Sequence, residues 1–346
     1  MRAYIPASED TTLYQRFPNS NAGLDEILEI GKLKDSLDTV VMYASSSARA
    51  LLNFDISQVQ SYPTTSRFYL TMYLANAKDV KRYQTLEVYP VSSSWVEGSG
   101  YFYQTERNAE DGATWIEASE DVNWATSGSD YIQTPSASIS LTEVPISDIR
   151  IDVTNILLPF VSGSNTFDWN GLLVKFPNAD EASSTNRGNI KVFSSNTHTI
   201  FAPKLEVLWN QQTFTTGSLK PIPGSNISIV SRNLKEAYTS GEVDKIYLVV
   251  RDQYPNKRFD EVQRYRNTYY LPSGSYYRLT DVVSGVKLHD FDQYSPVQCD
   301  VSGSYILLDT SGLYADRYYS LELKIVKDNL VFFPEFNYTF KVDTNG

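Results

Sequence analysis

The stretch Ser93–Gly100 reads SSWVEGSG, and GATW follows at Gly112–Trp115. An acid beside an indole and a glycine-rich turn, close to a second indole, suits three kinds of chemistry. Glu97 could be a general acid or base. Trp95 and Trp115 could stack on a sugar ring. All three residues could instead belong to a rigid framework. A glycosidase places two carboxyl groups about 5–10 Å apart across one bond, and no second acid in the sequence pairs with Glu97 by spacing. A glutamate followed by Gly-Ser-Gly more often holds a turn than moves a proton. Indole rings give flat contact area at little entropic cost, which suits a sugar platform, and the same rings fill cores. Trp124, Trp169 and the tyrosines of GYFYQ are looser platform candidates. The framework reading is preferred for Trp95, Glu97 and Trp115, so no catalytic residue is assigned and no enzyme is expected.

Other reactive types are sparse. The two histidines, His198 and His289, stand in SSNTH and KLHD, neither of which has zinc-ligand spacing. Ser194 and Ser195 lie near His198, but no Gly-x-Ser-x-Gly elbow exists. The GSG near Gly98 lacks the lysine of a phosphate loop. The single cysteine, Cys299, excludes an intrachain disulfide and reads as a small core residue. No cofactor is expected. A structural calcium held by loop oxygens stays open, with Asp10, Asp25, Asp111, Asp121 and Asp180 as its ligands; solvated loop acids are the simpler reading. The one local basic cluster is NKRFDEVQRYR, Asn256–Arg266. Its Lys257, Arg258, Arg264 and Arg266 alternate with aromatics, giving either a partner contact or a solvated hairpin.

Period-two alternation identifies the elements that must carry these residues. RALLNFDI sets Ala50, Leu52, Phe54 and Ile56 against Arg49, Asn53 and Asp55. KLEVLW, KIYLVVRD, YSLELKIV and NYTFKVD alternate likewise, as half-buried strands do. Turn clusters such as PNSNAG and SGSN separate them. DVTNILLPFVSG predicts one short helix capped by Asp152 or Thr154 and limited by Pro159. The stretch Asn210–Asn226, rich in Pro and Gly, predicts a short stiff linker. The expected division is therefore residues 1–212, a linker at 213–224, and residues 225–346, the last with about seven strands in an immunoglobulin-like β-sandwich. The chain is expected to be all-β.

The 346 residues carry 30 Lys+Arg against 41 Asp+Glu, a net charge of −11. That balance argues against nucleic acid and against an anionic membrane surface, since both need excess cations. No apolar run is long enough to span a bilayer. The N-terminus lacks the apolar core of a signal peptide, so synthesis in a cytoplasm without classical export is expected.

The first two hundred residues resemble the DNRLRE-type modules. The ordered pieces are SEDTTLYQRFPNSNAGLDEILEIG, ARALLNFDIS, LEVYPVSSSWVEGSG with GATW, IRIDVTNIL, NGLLVKF and FSSNTHTIFAPKLEVLW. The resemblance implies a jelly-roll β-sandwich like that of carbohydrate-binding modules, with the Trp95, Glu97 and Trp115 motif in its framework. Such modules occur on secreted bacterial proteins and on structural proteins of tailed bacteriophages. The second half, including SGLYADRYYSLELKI, is similar to the sandwich that follows this module in phage virion proteins. The expectation is a non-enzymatic adaptor of the neck, tail or baseplate, assembled into the virion in the host cytoplasm. It would dock to other virion proteins in multiple symmetric copies. The alternative is a carbohydrate-binding module that attaches the particle to a host glycan.

Overall fold

A computed structural model of the chain describes residues 1–33, 46–102, 111–142, 146–185, 187–210, 212–254 and 269–344. The protein is all-β and consists of two compact units, Ile5–Val207 and Leu208–Gly346, the latter taking in Met1–Tyr4 as well. Both have β-sandwich character, the first built on one eleven-stranded sheet with a short hairpin beside it and the second on two six-stranded sheets.

The first unit is built from β1 (Arg2–Tyr14), β2 (Ile27–Leu33), β3 (Ser46–Phe54), β4 (Arg67–Met72), β5 (Leu74–Lys78), β6 (Gln84–Pro90), the short hairpin of β7 (Glu117–Ser119) and β8 (Val122–Asn123), β9 (Ala137–Leu141), β10 (Ile149–Asp152), β11 (Leu172–Lys175), β12 (Gly188–Phe193) and β13 (Lys204–Leu208). Its strands run in the order β10-β4-β13-β1-β3-β11-β6-β9, with β2 beside β3 and β12 bridging β2 and β5. Alternation is obeyed on the inward side: Ala50, Leu52 and Phe54 of β3 are buried, as are Leu205 and Val207 of β13. Ile56 lies beyond the end of β3 and is only partly buried.

The outward side departs from the alternating pattern. Leu13, Leu51 and Leu173, on the adjacent strands β1, β3 and β11, point away from Ala50 and Leu52 yet are fully buried. The long connection between β6 and β9 folds over them, so the sheet has a second apolar layer instead of a solvated face.

The helix α1 (Thr154–Ser162) forms where the sequence places it, but Pro159 does not end it. Proline removes one N–H bond and crowds the carbonyl four residues before it. Burial of Ile156, Leu157, Phe160 and Val161 outweighs that loss, and the helix stops at Gly163, whose φ is +68°. Thr154 does not cap it; its Oγ1 accepts from the Phe68 N–H instead, while Asp152 Oδ1 accepts from the Thr154 N–H at 3.0 Å. A single turn, α2 (Asn178–Glu181), follows β11.

The second unit holds β14 (Lys220–Pro221), β15 (Ile227–Ser231), β16 (Ala237–Thr239), β17 (Val243–Asp252), β18 (Tyr269–Tyr270), β19 (Ser275–Asp281), β20 (Lys287–His289), β21 (Gln298–Asp300), β22 (Gly303–Asp309), β23 (Arg317–Lys327), β24 (Leu330–Phe332) and β25 (Tyr338–Asp343). These form two six-stranded sheets, β14-β18-β17-β22-β21 with β15, and β16-β25-β23-β19-β20 with β24. The alternating residues read from the sequence make its core: Ile246, Leu248 and Val250 from one sheet, and Leu321, Leu323, Ile325 and Phe340 from the other. The strands are more numerous than expected because several are only two or three residues long. The boundary also differs. Residues 213–224 are not a free linker: Lys220–Pro221 pairs with β18, and Ile222 is buried in the core.

Candidate functional site

The connection from Val91 to Tyr131 carries the residues with chemical promise, and it spends them on packing. Trp95 and Trp115 are each 8% exposed and pack with Trp124, Val91, Ala113 and Ala118 on Leu13, Leu51 and Leu173. A buried indole N–H needs an acceptor. Trp95 Nε1 donates to the Asn170 carbonyl at 2.8 Å, and Trp124 Nε1 donates to the Thr114 carbonyl at 2.9 Å. The Arg49 guanidinium lies 4.8 Å from the centre of the Trp115 ring. Trp169, half-buried, donates to the Phe54 carbonyl at 3.0 Å and meets Phe160 edge-on. Of the GYFYQ aromatics, Phe102 stacks on Tyr14 with ring centres 4.1 Å apart.

Glu97 is half-buried and ties three segments together. Its Oε1 accepts the Asp10 N–H at 2.9 Å and the Asn196 amide at 3.3 Å. Its backbone carbonyl accepts from Asn21 Nδ2 at 2.8 Å. Asn21 then takes the Gly23 and Gly100 N–H groups on its Oδ1, at 3.1 and 2.8 Å. The glycines are required by this close approach. Gly98 has φ +81°, and a Cβ on it would come within 2.6 Å of both Asn21 Oδ1 and the Gly112 Cα. Burial raises the Glu97 carboxyl above its ordinary pKa, against the opposing hydrogen bonds from Asp10 and Asn196.

Asp10 and Asp25 come to this same end of the unit. Asp10 is 0% exposed. Its Oδ2 accepts the Ser195 N–H at 2.6 Å, while its Oδ1 is buried without a hydrogen-bond partner. Burial pushes its pKa to about 7; Ser195 opposes this with its N–H and its side chain, and the Glu97 charge adds to it. Asp25 is raised to about 6, mostly by burial. The other acids considered for calcium are scattered. Asp111 caps the Ser99 turn, Asp121 sits in the hairpin of β7 and β8, and Asp180 binds Arg187 and Gln84. Among the described residues, no group of three or more His, Cys, Asp or Glu side chains is placed to hold a metal ion.

The histidines and cysteine do not assemble into a nucleophilic centre. Ser194 Oγ donates to the Asp25 carbonyl at 2.6 Å, and His198 is exposed beside Glu26. His289 is buried against Tyr277, and Cys299 is buried with its thiol pKa raised by that burial. Lys257, Arg258, Arg264 and Arg266 lie outside the described residues.

One buried constellation escapes sequence reasoning. Lys175, the last residue of β11, is 0% exposed, and its Nζ reaches the Asn178 side chain at 2.6 Å and Glu181 at 3.0 Å. Arg49 grips the same Glu181 with two nitrogens, at 3.0 and 2.7 Å, and gives a third to the Gly128 carbonyl. The only hint in the sequence is a lysine ending the apolar run LLVK, which a strand reading passes over.

No family model matches the chain, and no curated protein matches it. The resemblance of its first two hundred residues therefore stands on the quoted residues alone. Solved structures do match at low similarity. A β-glucuronidase from Parabacteroides merdae is 10% identical with a TM-score of 0.22, over 99% of this chain and 36% of that one. A DUF4785 family protein from Legionella pneumophila is 8% identical with a TM-score of 0.18, over 99% and 61%. A putative β-galactosidase from Bacteroides fragilis is 9% identical with a TM-score of 0.18, over 96% and 41%. The chain thus spans from about a third to under two thirds of these proteins, and none of them bears on what it does.

Proposed function

We propose that this chain is a non-catalytic adaptor of a tailed-phage particle, in its neck, tail or baseplate, which docks to other virion proteins in multiple copies. The observation that carries the non-catalytic part is the use made of Trp95, Glu97 and Trp115. The indoles that a glycan platform would expose are buried over Leu13, Leu51 and Leu173. The carboxylate that hydrolysis would need holds a backbone N–H and a side-chain amide. What remains is two stiff β-sandwiches whose loops and edges are available for contact, and the sequence resemblance to virion modules supplies the setting. Repeated copies on a symmetric particle would add weak contacts into stable attachment. The test is cross-linking and mass spectrometry on intact particles. The adaptor reading expects cross-links from both units to other virion proteins. Absence of the chain from purified particles overturns it, and so does a particle-free chain that binds host polysaccharide through an exposed aromatic face.

A further inference from the structure

We propose that the loop end of the first unit is a pH-responsive clasp, closed while the Asp10 carboxyl keeps its proton and loosened as that proton passes to water. Three segments meet there: residues 21–25, residues 97–100 and residues 194–196. Asn21 carries the Gly23 and Gly100 N–H groups, Ser194 Oγ holds the Asp25 carbonyl, and Asn196 bridges the Gly23 carbonyl and Glu97. Asp10 lies beneath them, fully buried, joined to the third segment through the Ser195 N–H and to the second through its own N–H on Glu97.

A buried carboxylate needs several donors or a cation. Among the described residues Asp10 has Ser195 alone as its donor residue, and its second oxygen has no donor. The charged groups facing this end from the described elements are mostly of its own sign. Glu9 stands on β1 and binds Asn53; Glu97 is on the second segment, where Asp111 holds Ser99; Asp25 is on the first, with Glu26 just after it. Glu29 of β2 is bound by Lys191 of β12, and His198 sits exposed beside Glu26. Neither of these cations pairs with Asp10. Ionisation of Asp10 is therefore relieved by admitting water, and water enters only if the three segments part. The raised pKa of about 7 agrees with that geometry.

The sign follows from linkage. With the closed-state pKa above that of an open, solvated aspartate, the closed form is favoured at low pH, and its advantage is lost as pH rises through the closed-state value. The clasp is independent of the docking role and is tested without it. Hydrogen exchange on the full chain, corrected for intrinsic rates, is followed at Gly23, Gly100 and Ser195. Protection should fall between about pH 4 and about pH 7, by up to roughly tenfold per pH unit, and then level off. In Asp10→Asn the same N–H groups should keep their protection across that range. A flat profile in the parent chain overturns the clasp, as does an equal fall in the variant. Protection regained at pH 8 on adding calcium also overturns it, since a cation and not a proton would then be the closing agent. Should Asp10→Asn fail to fold, carboxyl-carbon NMR of the parent chain decides: a midpoint below about 5 refutes the proposal and one above about 6 supports it.

Discussion

Asp10 in the first unit and Asp281 in the second are both buried aspartates, 0% and 1% exposed. Their carboxyl groups nevertheless move in opposite directions, Asp10 up to about 7 and Asp281 down to about 2. Burial acts on both alike, disfavouring charge. At Asp281 it is outweighed, because the Arg317 guanidinium reaches both oxygens and the N–H groups of Val283 and Ser284 donate to Oδ1. Among the described residues Asp10 has only Ser195 to donate to it, and a neighbouring carboxyl of the same sign. The partners, not the depth, decide whether a buried acid locks a turn at neutral pH or makes it yield. The two units differ in packing too. Among the described residues, the second packs one apolar core from both of its sheets, while the first adds a tryptophan layer on the outer side of its sheet.

The largest effect should come from breaking that added layer. Trp115→Ala removes a buried ring from under Arg49 and should destabilise the first unit by about 3–5 kcal/mol. Hydrogen exchange resolved by peptide would show the loss in residues 5–207 and not in the second unit. An unchanged melting temperature would mean that the tryptophans are not framework. Next is Arg317→Met, which leaves Asp281 buried with no cation. Breaking a buried pair costs about 3–5 kcal/mol, and the lower end applies because Arg317 is 24% exposed. The same variant should raise the Asp281 pKa toward the behaviour of Asp10. If denaturant unfolding shows no loss, the contrast between the two acids has been overdrawn.

The third way to sharpen the comparison is pH. The folded pKa of Asp281 lies below that of a free aspartate, so its contribution is present above about pH 4 and fades as pH falls through about 2. Asp10 and Asp25 are shifted upward, so their contribution is present below about pH 4 and fades as pH rises through about 6–7. Peptide-resolved exchange between pH 2 and pH 8 should show the units losing protection at opposite ends of the range. Parallel profiles would refute the assignment.

The core of this molecule was readable from alternation because a strand with one buried face repeats every second residue. In the second unit Ile246, Leu248 and Val250 and their counterparts Leu321, Leu323 and Ile325 pack as read. The outer face of the first unit was not readable, because Leu51 and Leu173 are covered by a connection distant in sequence, and alternation alone assigns them to solvent. The linker was misplaced for a related reason. Proline and glycine mark Lys220–Pro221 as a turn, but Ile222 beside them is an anchor in the core. Trp95, Glu97 and Trp115 could be picked out as a unit from their spacing. The hydrogen bonds of Glu97 to Asp10, Asn21 and Asn196 could not, since those partners are brought in from β1, the following loop and the loop after β12. Lys175 was invisible for want of any local sign that Glu181 and Arg49 would surround it.

The smallest expected effect is that of Glu97→Gln, and it separates framework from catalysis most cleanly. A glutamine Oε1 can accept the Asp10 N–H and the Asn196 amide just as the carboxylate does. The stability change should therefore stay within about 1 kcal/mol, the scale of one ordinary hydrogen bond. The substitution also removes the like charge that helps to hold the Asp10 pKa up. The Asp10 midpoint should then move down, by less than about one pH unit since burial is the larger cause, and the loss of protection at Gly23 and Ser195 should level off at correspondingly lower pH. A catalytic Glu97 predicts something else: the parent chain would release reducing ends from host polysaccharide, and the glutamine variant would not. Release that disappears in Glu97→Gln would overturn the framework reading. No release from either protein, together with a lowered Asp10 midpoint, would place Glu97 among the groups that set the charge state of the clasp.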